Sequence, residues 1–172
     1  IASEQADLVA LGRPMLADPW WASKAKAGRR DLIRPCTSCN WCISPHEGRH
    51  QVGCAENPRT GTEMDTPLSP EIGKGRRAVV VGAGPGGASA ALLLGQSGFE
   101  THLFEEREFT GGGIIASATP PGKDKLFWYS DYLANRLKDS SVIVHMGTKA
   151  TASGVLAMSP DITILAAGTR RL

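Results

Sequence analysis

A glycine-rich turn in the middle of the chain constrains the fold more than any other feature. The apolar run from Ala78 to Gly82 predicts a buried parallel strand, and the sequence Gly82-Ala-Gly84-Pro-Gly-Gly87 follows it directly. Gly82 permits a tight turn, Gly84 lets the backbone approach a pyrophosphate, and Gly87 lets the next helix pack on the strand. The pattern predicts a dinucleotide-binding, Rossmann-like βαβ unit, with a purely structural glycine turn as the alternative.

The second strand of this unit ends in an acidic residue. The predicted strand is Thr101 to Phe104, and Glu105 follows it at the sheet edge that also carries the glycine turn. A carboxylate there accepts hydrogen bonds from both hydroxyl groups of an adenine ribose and repels a 2′-phosphate. The sequence therefore predicts that Glu105 binds the ribose of FAD or ADP, whereas Glu106 is expected to be a solvated neighbour.

Other elements are predicted from apolar periodicity and from stop signals. An apolar run over residues 7–13 predicts a short buried strand. Asp18 is the expected N-cap of a helix that runs to Ala27 and stops at Gly28. The remaining predictions are helices over 88–96 and 123–138 and strands over 142–144 and 162–166. Strands that alternate with helices in this way predict an α/β fold.

All four cysteines lie in one short segment, as Cys36, Cys39, Cys42 and Cys54. Thiolates separated by two residues can fold around one cubane, and a fourth can arrive from a longer loop, so the spacing predicts a [4Fe-4S] site with its thiols close together. Zinc is an alternative, although its structural sites usually have two separated Cys-x2-Cys pairs. Disulfides are a further alternative that requires an oxidising compartment.

Charge and hydrophobicity narrow the class of protein. A hydrophobic content of 41% and a formal net charge of +2 are ordinary for a globular protein, and no apolar run has the length of a membrane span. The basic residues are scattered, which disfavours a nucleic-acid or membrane partner. The chain begins at Ile1 without an initiator Met or an export signal, so we expect a cytoplasmic protein.

Four short motifs, taken in order, are similar to those of a known family. They are Leu11-Gly12-Arg13-Pro14, Ile33-Arg34-Pro35-Cys36, Glu56-Asn57-Pro58-Arg59 and Val79-Val80-Val81-Gly82-Ala83-Gly84-Pro85-Gly86-Gly87. This ordered set resembles the C-terminal half of the old-yellow-enzyme-related iron-sulfur flavoproteins, the family of 2,4-dienoyl-CoA reductase and trimethylamine dehydrogenase. The resemblance covers nearly the whole chain.

The resemblance implies a division of the chain into four parts. These are the C-terminal end of an FMN-binding TIM-type barrel at residues 1–33, a [4Fe-4S] loop at 34–65, a linker at 66–75, and a partial FAD- or ADP-binding Rossmann-like domain at 76–172. The rest of the barrel and of the nucleotide domain would then belong to the same polypeptide.

The resemblance also implies roles for individual residues. Gly12 and Arg13 are expected at the FMN phosphate, and Gly112, in Thr110-Gly111-Gly112, is expected near the flavin. The other implied cofactor-binding residues are Gly82, Gly84, Gly87 and Glu105, and the implied cluster ligands are Cys36, Cys39, Cys42 and Cys54. No catalytic residue is expected in this chain, because those of the family lie on barrel loops.

The expected function is electron transfer in a flavoprotein oxidoreductase. By the resemblance, NAD(P)H would reduce FAD, and electrons would pass through the cluster to FMN and an unsaturated small-molecule substrate. One alternative is an amine dehydrogenase that holds ADP and passes electrons to a carrier protein. A second, of another class, is a non-enzymatic redox and nucleotide-binding module.

Two departures leave the subfamily open. The spacing of Cys39 and Cys42 is more similar to the amine dehydrogenases, whereas Pro120-Pro121-Gly122-Lys123 is more similar to the enoate reductases. Gly113 stands where many relatives have Gln, which leaves a side-chain contact to a flavin there in doubt.

Overall fold

A computed structural model describes residues 4–44 and 52–169. Its first part contains two short helices, α1 (Arg13–Ala17) and α2 (Trp21–Lys26), and a single 3-10 turn at Arg30–Leu32. No helix in the described ranges has the length and apolarity needed to cross a bilayer. Residues 52–76 contain no helix or strand and lead into the α/β part of the chain.

The second part is a parallel α/β unit, as the sequence predicts. Its elements are β1 (Arg77–Val81), α3 (Pro85–Gln96), β2 (Glu100–Phe104), α4 (Gly113–Ala118), α5 (Lys125–Lys138), β3 (Ile143–His145), α6 (Ala152–Ala157) and β4 (Ile162–Leu165). The strands form one parallel sheet in the order β3-β2-β1-β4. Because the order reverses beside β1, the carboxyl end of β1 is the switch point of the sheet, where ligands bind in open α/β folds.

The core lies between the sheet and helices α3 and α5. Val80 and Leu103 face each other in the register of β1 and β2, and neither side chain is exposed. Leu133 and Leu137 of α5 pack in the same cluster at helical spacing. Each such buried side chain contributes roughly 1.5–3 kcal/mol relative to an exposed one, so this layer fixes the sheet edge that holds the glycine turn.

The predicted strands and long helices of this unit are confirmed, with small shifts at their ends. Helix α3 begins at Pro85, ahead of the predicted residue 88, because proline fits the first helical turn. Helices α4 and α6 were not predicted. Both are short, and α4 follows glycines that offer no apolar periodicity.

The predicted strand over residues 7–13 is wrong. Arg13 begins α1, and residues 4–12, the described part of the chain before it, form no strand, with Leu8 88% and Val9 62% exposed. No strand of the described structure lies beside this run, so its backbone groups have no ladder to join. The apolar run alone therefore does not form a strand.

The prediction that Asp18 caps a helix is confirmed in part, because its Oδ1 accepts a hydrogen bond from the backbone N–H of Trp20 at 3.1 Å, just ahead of the helix. Helix α2 starts at Trp21 with Trp20 as its N-cap, although Gly28, at φ 71°, ends the following turn as expected. The buried Asp18 carboxylate also accepts hydrogen bonds from Lys24 Nζ at 2.5 Å and from the backbone N–H of Arg34 at 2.8 Å. It therefore ties α2 to the residues that precede the first cysteine.

The segment at residues 66–75, predicted to be a linker, lies against the sheet. Gly73 N–H donates to the carbonyl of Ser97 at 2.7 Å. A Cβ added to Gly98 would lie 1.8 Å from the carbonyl oxygen of Pro70, so the two backbones are in direct contact. This connection is thereby fixed to the turn between α3 and β2.

Candidate functional site

The three glycines of the turn after β1 differ in how closely the surrounding backbone packs against them. A Cβ at Gly82 would lie 2.3 Å from the carbonyl oxygen of Ala166, and a Cβ at Gly87 would lie 1.9 Å from that of Gly82. Gly84 is different, because the nearest atom to an added Cβ is 3.9 Å away, on Gly112. Packing therefore requires glycine at 82 and 87, whereas at Gly84 it leaves room.

That room is part of a cavity of about 660 Å³ at the carboxyl end of β1, here called the glycine pocket. The pocket is closed by Thr148 to Ala150 after β3 and by Ala166 to Thr169 after β4. Gly84 is the N-cap of α3 and supplies no side-chain cap, so no side chain at that position satisfies the first-turn N–H groups. Together with the helix dipole, these donors favour an anionic group such as a pyrophosphate.

Glu105 lies in the pocket lining and also holds the glycine turn in place. Its carboxylate is 8% exposed and accepts from Ala83 N–H at 2.7 Å through Oε2 and from Arg107 N–H at 3.0 Å through Oε1. Each carboxylate oxygen has a second lone pair, so hydroxyl groups of a ribose can still be accepted. Sequence reasoning found the residue but missed this second role, which depends on a contact between two strand ends.

A second glycine turn lies against the first. Gly111 donates its N–H to the carbonyl of Ala83 at 2.9 Å, and a Cβ at Gly112 would lie 3.0 Å from the Cα of Gly84. Gly111 and Gly112 both have positive φ. The φ of Gly113 is not positive, and an added Cβ there would have open space around it. The structure thus brings five of the predicted cofactor-binding residues to one pocket: Gly82, Gly84, Gly87, Glu105 and Gly112.

The cysteines are free thiols, with Cys39 exposed and the other three half-buried. Ser38 and Asn40 have φ of 61° and 62°, so the chain turns sharply on both sides of Cys39. Residues 45–51, between Cys42 and Cys54, lie outside the described residues.

The described residues contain no group of three or more His, Cys, Asp or Glu side chains arranged to hold a metal ion. The four-thiol site made up of Cys36, Cys39, Cys42 and Cys54 therefore stays a prediction.

Glu56 is a buried carboxylate that sequence reasoning did not single out. It accepts from Cys54 Sγ at 3.2 Å and from the hydroxyl of Thr37, and so connects the two ends of the segment that carries the cysteines. Burial, and next the hydrogen bond to Glu56, raise the pKa of the Cys54 thiol to about 11. Cys54 is therefore protonated at neutral pH in this state. The motif Glu56-Asn57-Pro58-Arg59 was the available signal.

Helix α5 lies between this segment and the glycine pocket. Tyr129 donates its hydroxyl to the carbonyl of Glu56 at 3.0 Å, and Lys125 Nζ donates to Ser38 Oγ at 2.7 Å. On the pocket side, Ser130 Oγ donates to the carbonyl of Thr110 at 3.3 Å. Burial raises the pKa of Tyr129, which keeps its donor proton in place.

Gly12 and Arg13, which are predicted to lie at an FMN phosphate, are outside the glycine pocket. Gly12 precedes α1, and the guanidinium of Arg13 donates to the side-chain oxygen of Asn40, beside the cysteines. Neither residue lines the glycine pocket. The structure therefore associates Arg13 with the segment that carries the cysteines.

Comparisons with known proteins agree with this geometry. A family model described as an NAD(P)-binding Rossmann-like domain matches residues 80–142. Over 171 residues the chain is 38% identical to an NADH oxidase of Thermoanaerobacter brockii. The aligned region covers 98% of this chain and 26% of that protein. The glycine pocket accordingly belongs to the NAD(P)- and FAD-type nucleotide sites.

Solved structures show the same architecture. A 2-naphthoyl-CoA reductase in complex with 2-naphthoyl-CoA superposes with a TM-score of 0.85 at 27% identity, over 99% of this chain and 26% of that one. A histamine dehydrogenase from Rhizobium sp. 4-9 gives a TM-score of 0.80 at 28% identity, again over 99% and 26%. The chain thus spans about a quarter of the length of the relatives it matches.

Proposed function

Because the chain belongs to the family of old-yellow-enzyme-related flavoproteins that includes trimethylamine dehydrogenase, we propose that it forms the nucleotide-binding and electron-transfer part of a flavoprotein oxidoreductase. The observation that carries this proposal is the meeting of two glycine turns and Glu105 in one pocket at the carboxyl end of β1. A full enzyme would use this part together with domains of the same polypeptide that hold the substrate.

In the proposed site the pocket holds the ADP moiety of FAD. The pyrophosphate would lie at Gly84 and the first turn of α3, where N–H groups and the helix dipole favour negative charge. The ribose would lie at Glu105, whose carboxylate keeps free lone pairs. Gly84 and Gly112 lie close together and have no side chains, so the ligand could approach the backbone there. A 2′-phosphate would meet the carboxylates of Glu105 and Glu106 and be disfavoured.

The four cysteines, Cys36, Cys39, Cys42 and Cys54, are proposed as ligands of a [4Fe-4S] cluster. The donor set fits in kind and number, since all four are free thiols and the chain turns at Ser38 and Asn40 between them. A cluster would supply single-electron transfer. Cys54 would have to lose the proton that it shares with Glu56 before it could bind metal.

The remaining parts of the proposal concern groups outside the glycine pocket. Residues 1–33 would form the C-terminal end of an FMN-binding barrel, with Gly12 and Arg13 at the FMN phosphate. Residues 34–65 would carry the cluster. Residues 66–75 would link this segment to the nucleotide domain, which residues 76–172 would form. NAD(P)H is the proposed donor and an unsaturated small molecule the proposed acceptor, in a cytoplasmic enzyme. Similarity to the NADH oxidase and to the 2-naphthoyl-CoA reductase supports this direction.

A second candidate is an amine dehydrogenase that holds ADP in the same pocket and passes electrons to a carrier protein. The superposition on histamine dehydrogenase favours it. The two candidates differ in what occupies the pocket, because the first requires FAD and the second only ADP.

The test is to purify the polypeptide that contains this chain and to release its bound groups by denaturation. FAD, FMN, ADP, iron, sulfide and zinc are then quantified. FAD with about four iron and four sulfide per chain supports the reductase proposal, and ADP with the same cluster supports the dehydrogenase. One zinc without sulfide would remove the cluster from the proposal, and the absence of any adenine nucleotide would remove the pocket assignment.

A further inference from the structure

A second cavity, of about 230 Å³, lies beside α3 and shares no lining residue with the glycine pocket. Its wall includes Ser89, Leu92 and Gln96, from the second turn of α3 to its end. It lies where four parts of the chain meet: α2, the residues that flank the cysteines, α3 and α5. We call it the basic cavity because of its charges.

Four cationic side chains and one carboxylate line the basic cavity. The cations are Lys24, Arg34, Arg59 and Arg136, and the carboxylate is Asp18. Asp18 is paired with Lys24 at 2.5 Å, which accounts for one of the four positive charges. Three charges remain in excess on the wall of a small cavity.

Two of these guanidinium groups have only neutral partners among the described residues. Arg34 donates to the carbonyl of Ala17 at 3.0 Å and to the Tyr132 hydroxyl at 3.2 Å. Arg59 donates to two backbone carbonyls, those of Glu63 and Thr66, while its Nε is buried without a hydrogen-bond partner. Buried donors without partners are rare in proteins, so a ligand that accepts a hydrogen bond from this Nε would stabilise the site.

The third guanidinium, that of Arg136, reaches a carboxylate only loosely. Its NH1 lies 3.6 Å from Asp139, which is half exposed and is shared with Arg29. The neighbouring cations also act on Lys24, whose pKa is lowered chiefly by burial and further by the positive charges of Arg34 and Arg136. These half-buried cations repel one another, and an anion bound between them would offset that repulsion.

We propose that the basic cavity binds a small tetrahedral oxyanion, phosphate or sulfate. Guanidinium groups bind oxyanions through paired N–H donors, and the orphan Nε of Arg59 is such a donor. The volume is below the range of about 300–1,000 Å³ that is usual for organic ligands, which favours an inorganic ion over a nucleotide. The bound ion joins α2, the residues flanking the cysteines, and α5.

The test is calorimetric titration of the full chain with sodium phosphate and sodium sulfate, against sodium chloride at equal ionic strength. Saturable binding of both oxyanions and none of chloride is expected. Arg136→Gln should weaken phosphate binding by about ten- to a hundred-fold, the usual weight of a charged hydrogen bond. Lys138→Gln is the matched control, since it removes the same charge from the same helix at an exposed residue outside the cavity.

A further variant distinguishes phosphate binding in the basic cavity from phosphate binding at the glycine turn. Gly84→Ala should leave the phosphate affinity of the basic cavity unchanged, and this expectation does not depend on the proposed function. Should Arg136→Gln fail to fold, Arg136→Lys keeps the charge, loses the paired donors and should still bind phosphate more weakly than the parent chain. Equal phosphate affinity in the Arg136 and Lys138 variants, loss in Gly84→Ala instead, or equal effects of chloride would each overturn the proposal.

Discussion

Replacing Gly84 by alanine should separate the folding of the glycine turn from its ability to bind a nucleotide. Gly84 has φ −68° and ψ 177°, a conformation open to alanine, and the nearest atom to the added Cβ lies 3.9 Å away. Reduced freedom of the unfolded chain stabilises such a change by about 0.4–1 kcal/mol, and the poorer N-cap opposes it by a similar amount. The free energy of unfolding without ligand should therefore change by less than about 1 kcal/mol.

The same methyl group should interfere with a pyrophosphate. Gly84 lines the glycine pocket at the start of α3, where the backbone itself has to approach the ligand. Loss of one or two hydrogen bonds from first-turn N–H groups to a charged acceptor is worth about 3 kcal/mol, or roughly a hundred-fold in ADP affinity. Calorimetric titration with ADP measures the affinity, and urea unfolding without ADP measures the stability.

Gly82→Ala is the contrasting variant. With φ 104° and an added Cβ 2.3 Å from the carbonyl oxygen of Ala166, it should lower the free energy of unfolding by several kcal/mol, about the sum of left-handed strain and a backbone clash. ADP affinity that is unchanged in a folded Gly84→Ala variant would refute the placement of a pyrophosphate at this turn. A loss of ADP binding that merely follows unfolding would refute the distinction between the two glycines.

Four further expectations concern Glu105, Cys54 and Gly112. Glu105→Gln should lower the free energy of unfolding by about 1–3 kcal/mol even without a nucleotide, because the new NH2 faces one of the two backbone N–H donors; urea unfolding measures it, with the exposed Glu71→Gln as control. Cys54 should resist alkylation by iodoacetamide until the pH nears its pKa of about 11, well after the exposed Cys39, and equal rates at pH 8 would contradict the burial of Cys54. Since that pKa lies above the ordinary 9.0, the contribution of Cys54 to stability should be complete below pH 9 and be lost as the pH rises toward 11. Gly112→Ala should lower the melting temperature, because its Cβ would lie 3.0 Å from Gly84, whereas Gly113→Ala, with nothing within 4 Å, should not.

Local pattern was sufficient where neighbours in sequence decide the structure. The apolar run of β1, the glycine spacing and Glu105 at the end of β2 predicted one pocket, and they lie in one pocket. The stripe on α5 was predicted for the same reason, because helical spacing alone places Leu133 and Leu137 on one face.

Long-range contacts account for what the sequence could not predict. The run at residues 7–13 has strand composition, but a strand requires a partner, and none lies beside it in the described structure. Glu56 acquires its role from Thr37 and Tyr129, which are distant in sequence. The charged residues of the basic cavity likewise come from four separate parts of the chain, so residue spacing alone could not have predicted the cavity.

The docking of residues 66–75 on the turn at Gly98 bears on how this family can be recombined. Pro70 and Gly73 contact the 97–99 turn through backbone atoms, so this stretch belongs structurally to the sheet rather than to the segment before it. A chimera that joined the first part of one relative to the sheet of another at Arg76 would pair residues 66–75 of one protein with the 97–99 turn of the other. Thr66 is hydrogen-bonded to Arg59 and Thr62 of the preceding segment, so the crossover point that preserves both sets of contacts lies between Thr66 and Pro70.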